Sequence, residues 1–152
     1  IVVDSRASLS PSSQLAQSAG DTPVMVAVAD DAPREAVARL QDLGCEVFPC
    51  RGSSPCDRIR SLLVELGRRR MTNVLVEGGG QLLGTLFDGG WIDEVHAFIA
   101  PKLIGGAAAP APFAGMGIGQ MDGAKKLRSI HLERCGEDVY LRGRVDVRLP
   151  SR

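Results

Sequence analysis

The chain has 152 residues, 44% of them hydrophobic and 4% aromatic, and its eighteen basic and eighteen acidic side chains cancel. That length and apolar content suit one folded domain burying roughly 70% of its unfolded surface, which excludes a disordered chain. With no basic stripe and few aromatics, nucleic-acid binding has no support, and no apolar run approaches the roughly 20 residues of a membrane-crossing helix.

The first residues, Ile1-Val2-Val3-Asp4, read as a strand. They lack the basic head and small-residue cleavage site of a signal peptide. A chain entering on a strand without an initiator methionine reads as a piece of a longer protein. Residues 24–29 are an unbroken apolar run, as in strands covered on both faces of a parallel sheet. Asp30 or Asp31 is expected to cap the next helix, with Pro33 in its first turn, Val37, Leu40 and Leu43 on its apolar face, and Gly44 at its end. Residues 45–49 read as a third strand.

Ser54-Pro55-Cys56-Asp57 offers a second cap with an N1 proline. Ile59, Leu62, Leu63 and Leu66 then follow at i, i+3, i+4 and i+7, an amphipathic helix. Arg68, Arg69 and Arg70 sit where cations favour a helix C-terminus and read as a solvated last turn. Residues 74–77 read as a fourth strand. The glycines Gly78, Gly79 and Gly80 follow, then a helix over 81–87 ending in Asp88-Gly89-Gly90. Glycine allows close approach of the backbone, and a helix N-terminus aims N–H groups and a positive dipole end at an anion, so this turn is the best candidate for a phosphate cradle.

Residues 94–100 read as a fifth strand. Residues 105–123, rich in Gly, Ala and Pro, are long for a structureless connection and read as a functional loop or a short helix. Residues 126–134 and 139–147 flank the turn-like Cys135-Gly136-Glu137-Asp138 and suit an antiparallel hairpin. Strand–helix alternation predicts a mainly parallel α/β sheet, here finished by that hairpin.

The cysteines Cys45, Cys50, Cys56 and Cys135 form no Cys-x-x-Cys pair and stand far from His96 and His131 in sequence, so reduced thiols are expected and no metal site. His96 reads as packed or at an edge, His131 as solvent-facing, and Lys102 as a surface residue. No Ser-His-Asp or Cys-His constellation is present, and no catalytic side chain is assigned.

Three segments in order carry a family likeness: Ile1-Val2-Val3-Asp4-Ser5-Arg6, Leu75-Val76-Glu77-Gly78-Gly79, and Trp91-Ile92-Asp93-Glu94-Val95 leading into Ile99-Ala100-Pro101-Lys102-Leu103-Ile104-Gly105-Gly106. With the terminal hairpin, the chain resembles the C-terminal reductase domain of bacterial riboflavin-biosynthesis deaminase/reductase proteins. The resemblance runs from the first residue to about Val147. It implies a dihydrofolate-reductase-like α/β fold, a single domain over 1–152 truncated at its N-terminal side, and a cytoplasmic enzyme.

The activity so implied is NADPH-dependent reduction of 5-amino-6-(5-phosphoribosylamino)uracil by hydride transfer to the ribose C1′. That chemistry asks the protein to orient two ligands and exclude water, with no metal and no covalent nucleophile. By matching position, Glu77 would contact the substrate. Ser5, Gly79, Gly80, Gln81, Leu82, Leu83, Gly84 and Thr85 would contact NADPH. The turn does not follow the dinucleotide pattern G-x-G-x-x-G, since Leu83 stands in place of its third glycine.

The resemblance further implies a homodimer through the later strands and an upstream zinc deaminase domain. The family's remaining substrate-phosphate and cofactor contacts lie before Ile1, so the chain by itself is expected to bind NADPH weakly and turn over poorly or not at all. Two other readings stand beside it. One is a related reductase acting on the diamino-pyrimidinone phosphate before deamination, the other a non-catalytic assembly module that kept the fold.

Overall fold

A computed structural model of the chain describes residues 1–106 and 108–146. The chain divides into two compact units, Ile1–Val74 and Leu75–Arg152.

In the first unit the strand Met25–Ala29 (β2) is buried at every position. It lies between Val2–Val3 (β1) and Glu46–Cys50 (β3), and both pairings are parallel. Successive side chains of a strand point to opposite faces, which explains the unbroken apolar run. Val26 and Val28 pack with Ala36 and Leu40 of the helix Arg34–Asp42 (α2). Met25 and Ala27 pack with Leu62 and Leu66 of the helix Pro55–Arg68 (α3). Leu40 and Val26, the largest side chains that are fully buried, each contribute about 1.5–3 kcal/mol through removal from water.

Residues 5–23, to which periodicity assigns no element, contain a short helix, Gln14–Gln17 (α1), capped by the Ser13 hydroxyl accepting the Ala16 N–H at 3.2 Å. The other starts largely follow local chemistry. Ser54 and Asp57 close a reciprocal capping box on α3, with Pro55 in its first turn. The cap position of α2 differs from expectation. It falls on Pro33, and neither Asp30 nor Asp31 caps the helix.

Helices α2 and α3 end in the same device. Gly44 (φ 89°) follows α2, with its N–H bonded to Gln41 O and that of Cys45 to Leu40 O. Arg70 (φ 61°) follows α3, bonding Gly67 O, while Met71 bonds Leu66 O. Both are Schellman closures, which call for a left-handed residue just past the helix. The arginine cluster is engaged: Arg68 and Arg69 both donate to Glu65, and Arg69 reaches across to Glu46 on β3.

The second unit holds the helix Gly80–Asp88 (α4) and an antiparallel sheet. Its strands are Glu94–Ile99 (β4), Leu127–Cys135 (β5) and Asp138–Val145 (β6), in the order β4-β6-β5. The expected hairpin is β5–β6, closed by Gly136 (φ 63°) and Glu137 between the paired Cys135 and Asp138. A glycine in the first of two central positions suits such a tight turn. A bulge interrupts β5 between Arg128 and His131. Val147, the last residue of the expected arm, lies outside the described residues.

The α/β class with a parallel sheet and a C-terminal antiparallel hairpin is the architecture found. Two details differ from expectation. β4 runs antiparallel to its neighbour β6, and residues 74–77 join no strand. Leu75 is 78% exposed. An apolar run becomes a strand only where its N–H and C=O groups meet a ladder partner, which periodicity alone does not supply. Among the described residues, the loop after β4 contains one 3-10 turn, Met121–Gly123.

Candidate active site: a glycine-capped helix and its bracing loop

Glycine occupies the cap position of α4. Gly79 has extended backbone (φ −75°, ψ 168°) and provides no side-chain acceptor to the first N–H groups of the helix. The positive end of the helix is therefore free of the carboxylate or hydroxyl that usually closes it. A methyl group built on Gly79 would meet nothing within 4 Å. The turn is open at Gly79 and carries no side-chain cap, which fits the approach of a phosphate-bearing group. Gln81, Leu82, Leu83 and Thr85 complete the first turns, with the Thr85 hydroxyl donating to Gln81 O at 2.9 Å. Glu77 is exposed just before the glycines, and its carboxylate makes no hydrogen bond or ion pair among the described residues.

Gly80 and Gly84 face elsewhere. One turn apart on α4, they receive the loop that follows β4. A Cβ on Gly80 would lie 2.6 Å from Ala111 O, and one on Gly84 only 1.2 Å from Ala114 O. The Ala114 N–H donates to Gly80 O at 2.9 Å. The rings of Phe87 and Phe113 stand 5.5 Å apart, and the Asp88 carboxylate accepts the N–H groups of Met116 (2.8 Å) and Gly117 (3.0 Å). Sequence reasoning missed Asp88 as more than a helix end. Its signal was available: a carboxylate in the last turn opposes the helix dipole and needs compensation from elsewhere.

Ser5 belongs to the first unit. It follows β1, and its carbonyl accepts the Ala29 N–H at 3.1 Å, extending the parallel ladder. The loop that carries it is tied down by Asp4, whose carboxylate accepts from Arg6 N, Ser8 Oγ and Leu9 N at 3.2, 3.0 and 2.7 Å. Ala7 within it holds a left-handed φ of 54°. Asp4 is the second positioning residue that side-chain chemistry alone did not single out, although an Asp followed by Ser and Arg is an ordinary turn signal.

On the antiparallel sheet, His96 accepts or donates at two points: Nδ1 lies 2.7 Å from the Tyr140 hydroxyl and Nε2 3.0 Å from Glu94 Oε1. His131 is exposed, 3.5 Å from Glu133, and Lys102 is exposed beyond β4. Cys45 and Cys50 are buried and Cys56 and Cys135 exposed, and burial pushes the Cys50 thiol up. Among the described residues no group of three or more His, Cys, Asp or Glu side chains is placed to hold a metal ion, and no helix is long and apolar enough to cross a membrane.

A parallel βαβ unit in the first unit, and an antiparallel hairpin sheet with a glycine-capped helix in the second, are α/β elements shared with solved structures of the dihydrofolate-reductase-like fold. The family model described as the RibD C-terminal domain matches residues 1–141, and the chain belongs to that family. It is 35% identical over 142 residues to the riboflavin biosynthesis protein RibD of Actinobacillus pleuropneumoniae, covering 93% of this chain and 37% of that protein. It is 32% identical over 141 residues to a 2,5-diamino-6-ribosylamino-4(3H)-pyrimidinone 5′-phosphate reductase of Methanothermobacter thermautotrophicus, covering 93% of this chain and 63% of that one. Among solved structures it resembles Acinetobacter baumannii RibD (TM-score 0.75, 23% identity, 94% of this chain and 36% of that one). It also resembles a pyrimidine reductase-like protein of Corynebacterium diphtheriae (TM-score 0.71, 21% identity, 94% and 59%). The chain thus spans little more than a third of the length of each of these two RibD proteins.

Proposed function

We propose that this chain is the C-terminal portion of a riboflavin-pathway reductase domain that reduces 5-amino-6-(5-phosphoribosylamino)uracil to the ribitylamino product with NADPH. The observation that carries this reading is the family match across residues 1–141, which includes every residue assigned to the site. NADPH when bound supplies the hydride for the ribose C1′. The open turn at Gly79, with Gly80, Gln81, Leu82, Leu83, Gly84 and Thr85, receives the cofactor. The uncapped N–H groups favour its phosphate charge, and the absence of a Cβ lets it come close. Ser5 is assigned to the same cofactor, on a loop that Asp4 keeps in one shape. Glu77 holds the substrate by accepting hydrogen bonds, a role suited to an exposed carboxylate with no partner among the described residues.

We assign the two units to one reductase domain, active as a cytoplasmic homodimer and fused upstream to a zinc deaminase. The fraction of the Actinobacillus RibD left uncovered, nearly two thirds, supports such a fusion.

Titration with NADPH, followed by cofactor fluorescence and by thermal midpoint, tests the reading. Saturable stabilisation growing as RT ln(1 + [L]/Kd) is expected, about 2.7 kcal/mol at a hundredfold excess over Kd. An assembly module would show no shift at millimolar NADPH. The likeness to the Methanothermobacter enzyme favours a second reading, reduction of the pyrimidine before deamination. Offering the amino and the deaminated substrates in parallel to the full-length protein that carries this chain, with loss of NADPH absorbance as the readout, separates the two.

A further inference from the structure

The loop after β4 does more along α4 than connect two strands. Its residues 111–117 meet the helix at four successive levels: Ala111 and Ala114 at Gly80, Ala114 at Gly84, Phe113 at Phe87, and the amides of Met116 and Gly117 at Asp88. Every contact but the last is either neutral or apolar. Asp88 supplies the charged one, accepting two backbone N–H groups at once, and hydrogen bonds to a charged acceptor are about twice as strong as neutral ones. The two donors also offset the unfavourable placement of a carboxylate at the negative end of the helix. Gly115 sits between these contacts with φ 124°, its Cβ position 2.5 Å from Asp88 Oδ2, so the loop can reach the carboxylate only with glycine there.

We propose that Asp88 is a positioning residue for cofactor binding: it pins segment 111–117 against α4 as a fixed wall, and the wall sets the shape of the glycine turn. The inference rests on the reading of α4 as the cofactor helix and deepens it. The Cα faces of Gly80 and Gly84 serve the wall, and of the two only Gly80, in the first turn, has a backbone N–H outside the helix ladder. The side of the turn left open to a phosphate is that of Gly79, where a Cβ would meet no neighbour. Because Ala114 N–H bonds the carbonyl of Gly80, a shift of the loop is passed directly to the first residue of the helix.

The test uses the whole chain with Asp88→Ala and Asp88→Asn, the latter keeping a carbonyl acceptor for one of the two amides. Two quantities are measured: amide hydrogen exchange at Met116 and Gly117, and the dissociation constant for NADPH. In Asp88→Ala, exchange at both amides is expected to quicken at least tenfold and the NADPH Kd to rise at least fivefold, with helix content by far-ultraviolet dichroism unchanged. Asp88→Asn should fall between the variant and the parent in both, a graded rescue that simple loss of fold would not give. Unchanged exchange in Asp88→Ala would overturn the clamp. Quickened exchange with an NADPH Kd within twofold of the parent would overturn its role in binding. If the parent binds no NADPH while its Met116 and Gly117 amides are protected, the reductase reading fails, and the cofactor role of Asp88 fails with it although the clamp stands.

Discussion

Gly79 and Gly84 belong to one turn and one short helix, yet a methyl group added to each would meet opposite surroundings. At Gly79 it enters open space from a backbone conformation any residue can adopt. Gly79→Ala should therefore cost at most about 1 kcal/mol, the difference between glycine and alanine at a helix cap. A loss of NADPH affinity much larger than this stability change, measured by titration beside a thermal melt, would report close approach of the ligand. Unaltered affinity would remove Gly79 from the site. At Gly84 the methyl collides with the Ala114 carbonyl, and relief requires the loop to move. Overpacking of this kind costs about 1–3 kcal/mol, against roughly 1 kcal/mol that alanine gains as a helix former. Gly84→Ala is expected to lower the melting midpoint and quicken exchange at Ala114. Arg70 poses the converse case, a side chain where the α3 closure wants glycine. Left-handed backbone costs a non-glycine residue about 1–2 kcal/mol, part of which glycine returns as lost chain entropy. Arg70→Gly should thus raise stability by about 0.5–1 kcal/mol in urea unfolding.

At the scale of elements, α3 and β3 are braced by charge as well as by Leu62 and Leu66. Glu65 accepts from Arg68 and Arg69, and these hydrogen bonds hold its carboxyl down at about 2. Glu46 is held below the ordinary carboxylate range by Arg69. A lowered folded-state value means that the unfolded chain binds the proton more readily. The stabilisation is then complete above the ordinary carboxylate pKa, about 4.3, and is lost as pH falls towards 2. Thermal midpoints collected between pH 6 and 2 should fall in that window, and Glu65→Gln should flatten the fall. A midpoint that is level across the window would show the brace to be inert. The parallel sheet depends on apolar burial instead. Leu40→Ala removes a fully buried side chain from the α2 face of β2 and should cost about 2–5 kcal/mol by denaturant titration.

For the whole molecule, the antiparallel sheet has two unlike faces. Glu94, His96 and Phe98 stand opposite Arg144, Arg142 and Tyr140, while Val95, Ala97 and Ile99 alternate with them and share a face with Leu141 and Val139. Leu132, paired with Leu141, is 62% exposed on that apolar side. This is the surface that the proposed homodimer would cover. Sedimentation of the parent and of Leu132→Asp decides it: a parent dimer that the variant splits into monomers supports the interface, and a dimer that survives the substitution places the contact elsewhere.

The legible part of this protein was the short-range part. Buried β2, the Ser54 capping box, the Gly44 stop, the Gly136 turn and the glycine cap of α4 follow from periodicity and backbone freedom within a few residues of each position. These limits are steric and hydrogen-bonding rules that hold before any tertiary contact forms. The ordered set of short motifs also carried the family likeness. Only the tertiary structure decided which strands pair, that residues 74–77 join no ladder, that Gly80 and Gly84 seat a loop some thirty residues further on, and that Asp88 holds that loop in place. Each of these is a contact between segments distant in sequence, and no local propensity specifies which partner a glycine face or a helix-end carboxylate will meet.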